Sequence, residues 1–299
     1  MTAGLSVLIP VFNWNVNALV GSLLAQRADW PGPVEIILFD DGSREEFRGL
    51  NQPLGARPGV QYHELAHNVG RAAIRNQLAA AAQHEWLLLL DNDSELPDTQ
   101  FLARYAAARD HAPVLIGGTC YAPLPPTDAN LRLRWLYGQA REARPATLRQ
   151  QAPYAQLTIN NVLLRADVLA QFPLDEQLSG YGHEDTKFGR ALAQAGVAVR
   201  HLNNPVRHAG LEPAATFLAK SEEAVRNLAQ VAQEADGLGT DSRLLQTAQR
   251  LRKWGLAPVL RATLASAEPR LRRNLLSDTP WLRAFDLLKL SWLLRLLGK

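Results

Sequence analysis

The chain of 299 residues is short of several things, and each shortage narrows what it can be. Its one cysteine, Cys120, cannot form an internal disulfide, which excludes a disulfide-built scaffold and fits a reducing compartment. No stretch reaches the roughly 20 uninterrupted apolar residues that a membrane-spanning helix needs. The first apolar run, residues 5–11, is too short for a signal peptide and reads as a strand. Internal repeats and low-complexity tracts are absent as well. Strand patterns cease beyond about residue 212. What remains, with 47% hydrophobic and 20% charged residues, is the composition of an ordinary soluble globular protein.

Up to that point short apolar runs alternate with helical patterns, which predicts an α/β sheet. Strands are expected at 5–11, 34–39, 60–65, 86–90, 113–121, 157–165 and 197–202. Helices are expected at 17–27, 70–83, 131–142 and 184–195, the last closed by Gly196. The tail predicts helices at 214–234, 242–253, 258–266 and 280–297. We therefore expect a first domain over 1–212 and a helical extension over 213–299.

Charge is divided unevenly along the chain. From Arg243 onward twelve Lys or Arg stand against Glu268, Asp278 and Asp286, while the whole chain carries only +3, so the remainder is acidic. A basic tail on an acidic body suits either an anionic partner such as a phospholipid surface or a solvated helical face. The 280–297 segment, with Trp281 and Trp292, reads either as an interfacial anchor or as a helix packed on protein. The expected location is cytoplasmic, either free or, on the anchor reading of these helices, peripheral at the inner membrane face. Nucleic acid is not among the expected partners.

Acidic clusters stand where strands end. In an open α/β sheet, ligands bind outside the carboxyl ends of the strands, because the loops there converge on one crevice. Asp40-Asp41 and Asp91-Asn92-Asp93 belong on that rim, and so many carboxylates in two loops call for a cation or hydrogen-bond donors. Asp91 and Asp93, at i and i+2, can face one ligand; Mg²⁺ or Mn²⁺ would share such oxygens with a diphosphate. The alternative is that these residues cap the turn before Ser94-Glu-Leu-Pro97.

Glu184 and Asp185 open a helix after Gly180-Tyr-Gly-His183. There they either complement the helix dipole or, in the case of Asp185, serve as a general base, with Tyr181 offering a face for a sugar. His208 is either structural or, if it approaches Asp93, a metal ligand. Arg71 and Arg75 share one helix face. They hold a diphosphate, counter the acidic rim, pair with Asp40 and Asp41, or stand as surface charges.

Taken in order, these segments resemble the family 2 glycosyltransferases of the GT-A fold. The segments are Leu5-Ser-Val-Leu-Ile-Pro-Val-Phe-Asn13, Asp40-Asp-Gly-Ser43, Asn68-Val-Gly-Arg-Ala-Ala-Ile-Arg-Asn76 and Leu87-Leu-Leu-Leu-Asp-Asn-Asp93. The resemblance continues through Asn161-Val-Leu-Leu-Arg165, Phe172-Pro-Leu-Asp-Glu176 and Gly180-Tyr-Gly-His-Glu-Asp185, and so covers residues 5 to about 210. It implies a mixed, mainly parallel sheet flanked by helices. It also implies inverting transfer of a sugar from a nucleoside diphosphate to a hydroxyl of a glycan or lipid-linked acceptor. Asp41, with Asp40, would contact the base or ribose, over a floor formed by Pro10 and Phe12; Asn68, Arg71 and Arg75 complete the expected nucleotide contacts. Asp91 and Asp93 would be the D-x-D pair, with His208 a further ligand of Mn²⁺ or Mg²⁺. Asp185 would be the base, with Glu184 orienting the acceptor. Acceptor choice is expected in 122–156.

Two other readings are weighed against this one. A sugar nucleotidyltransferase wants a glycine-rich basic loop after the first strand, where this chain has Asn13-Trp-Asn-Val-Asn17. A degenerate module that only binds a glycan or partner is disfavoured by the joint presence of Asp91, Asp93, Asp185 and His208.

Overall fold

The computed structural model describes residues 3–176, 184–231 and 242–298. They divide into two compact units, one formed by 3–121, 143–176 and 184–210, the other by 122–142, 211–231 and 242–298. Residues 122–142 thus lie in the second unit, although the sequence reading runs the first domain unbroken to 212.

Ten strands are numbered in chain order. They are β1 (Leu5–Val11), β2 (Val34–Asp40), β3 (Val60–Glu64), β4 (Trp86–Leu90), β5 (Ser94–Glu95), β6 (Val114–Ile116), β7 (Thr119–Cys120), β8 (Asn161–Arg165), β9 (Val199–His201) and β10 (Val206–His208). Seven form one sheet in the order β3-β2-β1-β4-β8-β6-β9. All neighbours are parallel except β8, which is antiparallel to both β4 and β6. The sheet is therefore the mixed, mainly parallel one expected.

β1 pairs with β2 on one side and β4 on the other. Strand order reverses there, which brings the loops after β1 and β4 side by side at one rim, where open α/β sheets bind ligands. Because β8 runs backwards, its first residue, Asn161, pairs with Leu90 and reaches the same rim.

Both faces of the sheet are covered, as its near-continuous apolar strands require. Leu5, Val7, Ile9 and Val11 point to one core, packed by the helices Asn17–Gln26 and Phe101–Ala108. Leu8, Ile37, Leu87 and Leu89 point to the other, under Arg71–Ala81 and Glu184–Gln194. The period of two along each strand decides which residue goes to which face.

Three expected strands are clearly shorter than predicted, 197–202 being a strand only over Val199–His201. Residues 113–121 break at Gly117-Gly118, where Gly118 takes φ +91° and the chain leaves the large sheet as β6 to join a small one as β7. The 157–165 run is a strand only from Asn161. The small sheet has the order β5-β10-β7; neither β5 nor β10 was expected, each being two or three residues long.

In the second unit the helices Ala214–Val231, Arg243–Lys253, Ala257–Leu275 and Leu282–Leu296 enclose a core of Phe217, Leu245, Phe285, Leu288 and Trp292. The third runs through Pro269, well past the expected end at 266. Among the described residues no helix is long and apolar enough to cross a membrane.

Candidate active site

The rim at the carboxyl ends of β1, β2 and β4 is built from four loops tied to one another. Asn13 takes a left-handed conformation, φ +48°, which asparagine tolerates better than most residues. Its N–H donates to Ser43 Oγ at 2.8 Å, and its Oδ1 accepts from Arg44 N–H at 2.9 Å. Asn92 Nδ2 donates to the Phe12 carbonyl at 3.2 Å. Phe12 itself is 48% exposed above the β1 end, with Pro10 half-buried beneath.

The two aspartates at the end of β2 differ. Asp40 is buried, and both oxygens are spoken for, by Ser43 N–H at 2.7 Å and by the Tyr62 hydroxyl at 3.0 Å. Asp40 is therefore a brace for the turn rather than a group facing the crevice. Asp41 accepts from Val69 N–H at 2.7 Å, and burial pushes its carboxyl above the ordinary range. Gly42 lets this turn press on the next loop: a Cβ there would lie 3.0 Å from the Asn68 nitrogen, at φ +74°. Asn68 Oδ1 accepts from Gly70 N–H at 3.1 Å and so shapes the entry to the helix that carries both arginines.

Arg75, on that helix, is 2% exposed. It donates to Asp91 Oδ1, and its other terminal nitrogen lies 3.9 Å from Glu184 and 3.0 Å from the Arg71 carbonyl. Arg71 is half-exposed, 3.7 Å from Asp91. The arginines pair with Asp91 and Glu184, not with Asp40 and Asp41. Burial alone would raise the Asp91 pKa, but Arg75 and Arg71 outweigh it and hold the carboxyl below its ordinary range.

Asp185, in the first turn of the helix Glu184–Gln194, belongs to the same cluster. Burial lifts its pKa to about 6 against the opposing pull of Arg71 and Arg75, with Asp91 and Glu184 adding repulsion. The Gly180–His183 loop, with Tyr181, lies outside the described residues.

Asp93 and His208 meet through the small sheet. β5 and β10 are antiparallel, with His208 opposite Ser94, which sets His208 Nε2 3.3 Å from Asp93 Oδ2. The Asp93 carbonyl accepts from Ala209 N–H at 2.9 Å, and the His208 ring stacks against Tyr121 at 5.5 Å. Burial raises the Asp93 pKa; His208 opposes that rise and Asp91 adds to it. His208 Nδ1 is buried without a hydrogen-bond partner.

Among the described residues no group of three or more His, Cys, Asp or Glu side chains is placed to hold a metal ion. Asp93 and His208 supply an oxygen and a nitrogen donor side by side, a set that suits Mn²⁺ or Mg²⁺ completed by diphosphate oxygens and water. Asp91, the third expected ligand, is tied to Arg75 instead.

One rim residue escaped the sequence reading. Asn160 accepts from Asp91 N–H through its carbonyl at 3.2 Å, and its Nδ2 donates to Thr119 Oγ1 at 2.8 Å. Asn160 Oδ1 is buried without a partner. The signal was the polar pair Asn160-Asn161 opening an apolar strand, but using it required knowing that β8 runs backwards.

The profile of glycosyl transferase family 2 matches residues 6–162. A chondroitin synthase of Pasteurella multocida is 23% identical over 234 residues, covering 67% of this chain and 24% of that protein. The chain thus spans about a quarter of that relative's length. Among solved structures, the mannosyltransferase PcManGT of Pyrobaculum calidifontis, in complex with GDP-Man and Mn²⁺, has a TM-score of 0.58 at 13% identity, covering 97% of this chain and 86% of that one. Residues 1–349 of TarS from S. aureus, in complex with UDP-GlcNAc, give a TM-score of 0.50 at 17% identity, covering 97% and 90%.

Proposed function

The chain belongs to glycosyl transferase family 2 and is a glycosyltransferase of the GT-A fold, and from that premise we propose a single-displacement reaction at the crevice between β1 and β4. A sugar passes from a nucleoside diphosphate to a hydroxyl of a glycan or lipid-linked acceptor, with inversion at the anomeric carbon. The observation that carries this reading is the grouping of Asp185 with Arg71, Arg75 and Asp91 at one rim. It joins a carboxylate poised to take a proton near neutral pH to cations that suit a diphosphate.

Asp185, ionised above about pH 6, accepts the proton of the acceptor hydroxyl as that oxygen attacks the anomeric carbon. The bond to the diphosphate oxygen breaks on the opposite face, so no covalent enzyme intermediate is formed. Phe12, Pro10 and Asp41 bound the nucleoside, while Asn68 and the half-exposed Arg71 face the diphosphate. Arg75 holds Asp91 and Glu184 in place and leaves Glu184 to orient the acceptor. Mn²⁺ or Mg²⁺, held by Asp93 and His208 with Asp91 adjacent, would act as a Lewis acid toward the charge developing on the leaving group. The nucleotide sugars and Mn²⁺ named with the neighbouring structures support the choice of donor and cation.

Asp185→Asn tests the proposal. Transfer should be abolished, while UDP or GDP with Mn²⁺ still raises the melting temperature as in the parent protein. Near-parental turnover removes Asp185 from the role. Retained anomeric configuration in the product, read by NMR, overturns the single displacement.

A further inference from the structure

The second unit carries a feature that the catalytic reading leaves unused, at the turn joining the helices Arg243–Lys253 and Ala257–Leu275. Trp254 is 66% exposed, Leu256 47% and Val259 68%, with Pro258 exposed between them. Exposure on this scale means that the side chains protrude from the surface instead of lining a groove.

The turn that bears them is well braced. Gly255 takes φ +71°, and the N–H groups of Trp254, Gly255 and Leu256 donate to Arg250, Arg252 and Leu251 carbonyls at 3.0 Å each. In a glycine-closed helix end the residue after the glycine commonly packs back on the helix, yet Leu256 stays half in solvent. The apolar corner is therefore held outward by its own backbone.

Its charge is of one sign. Between Arg243 and Ala267 there are five cationic residues, Arg243, Arg250, Arg252, Lys253 and Arg261, and no acid. Cations in the last turn of Arg243–Lys253 complement its dipole, which accounts for some of the charge but for none of the exposed apolar surface. By contrast, the apolar side chains of the final helix, Phe285, Leu288, Trp292 and Leu293, are consumed in the core of the unit. Of the 280–297 segment, read from the sequence either as an anchor or as a helix packed on protein, only Trp281 and Leu287 keep large apolar side chains exposed, at 54% and 39%.

We propose that the corner formed by Trp254, Leu256, Pro258 and Val259, flanked by Arg250, Arg252, Lys253 and Arg261, docks on an anionic phospholipid bilayer. Indole and aliphatic side chains enter the headgroup boundary, where tryptophan is favoured, and the cations meet lipid phosphates. Two copies meeting corner to corner do not fit, because the same cations would be set against themselves. The proposal stands independently of the sugar-transfer chemistry.

The test is sedimentation of the full chain with vesicles of phosphatidylcholine alone or mixed with phosphatidylglycerol. Binding is expected only to the mixed vesicles, and it should fall as salt rises. The double variant Arg252→Ser/Lys253→Ser should lower partitioning about thirtyfold. Trp254→Ser/Val259→Ser should also release the protein, whereas Trp281→Ser, at the far end of the helix Ala257–Leu275, should not. Melting temperatures unchanged from the parent show that the variants fold. Absence of binding to the mixed vesicles, or equal binding by parent and both double variants, overturns the proposal. So does binding to soluble polyphosphate that depends on the cations while vesicle binding ignores Trp254, an outcome that identifies an acidic macromolecule as the partner.

Discussion

His208 Nε2 lies 3.3 Å from Asp93 Oδ2, and a two-residue ladder brings them together. β5 begins at Ser94 and β10 ends at His208, so their antiparallel register leaves Asp93 and His208 side by side at the ladder's end. The pairing of Arg207 with Glu95 across the same ladder, at 2.6 Å, reinforces that register. A carboxylate and an imidazole are thus placed together by backbone pairing, and the proposed reaction would use them as cation ligands.

From that pair follows a dependence on divalent cation. Transfer should cease in chelator and return with Mn²⁺ or Mg²⁺. His208→Ala should raise the Mn²⁺ concentration needed for half-maximal activity by at least about tenfold, since even changes outside the ligand shell commonly cost that much. Full activity in chelator would refute the roles given to Asp93 and His208.

Gly210 guards the same carboxylate. A Cβ at this position would lie 2.2 Å from Asp93 Oδ2 and 2.9 Å from Asp93 Cβ, so Gly210→Ala must displace Asp93. The fold should survive with a loss of about 1 to 3 kcal/mol, the usual range for an overpacked site. The Mn²⁺ requirement should rise while the Asp185 pH profile stays put. A metal titration unchanged from the parent would show that Asp93 does not need its present position.

The large sheet was legible because most of its strands are short apolar runs such as Trp86–Leu90, which is buried throughout and is followed by Asp91. The strand ends likewise put Asp40-Asp41 and Asp91-Asn92-Asp93 on one rim, while only the family resemblance linked Glu184 and Asp185 to it. What sequence could not carry was long-range geometry: whether His208 would reach Asp93, and which of several carboxylates would claim Arg75. Asp40 shows the cost of counting acids alone, because its neighbour in space, Tyr62, lies on another strand and ties the carboxylate into the fold. β5, β7 and β10 are too short for any periodicity to register, and the Gly117-Gly118 break looked like the middle of one strand.

Activity should depend on pH through Asp185. Burial pushes its carboxyl up to about 6, and in the proposed reaction the ionised form is the base. The rate should therefore be level above pH 7 and fall about tenfold per pH unit well below 6. Stability runs the other way. A folded-state pKa raised above the ordinary 3.8 means that folding favours the protonated acid, and this contribution is lost as pH rises through about 6. Asp185→Asn should accordingly melt no lower than the parent at pH 8 while remaining inactive. A pH–rate profile flat down to pH 5 would exclude Asp185 as the titrating group.

Arg75 decides how that base titrates. Its guanidinium is buried against Asp91 and Glu184, and it pulls the Asp185 pKa down against the effect of burial. Arg75→Met removes the charge but keeps much of the bulk. The acid limb of the pH–rate profile should then move to higher pH, and stability should drop by about 3 to 5 kcal/mol, because a buried partner of the cation is left uncompensated. Arg75→Lys, which keeps the charge without the two-pronged reach, should restore most of the pH profile but only part of the stability. A purely structural Arg75 would lower the melting temperature and leave the limb where it was, so the two measurements separate positioning of the base from support of the fold.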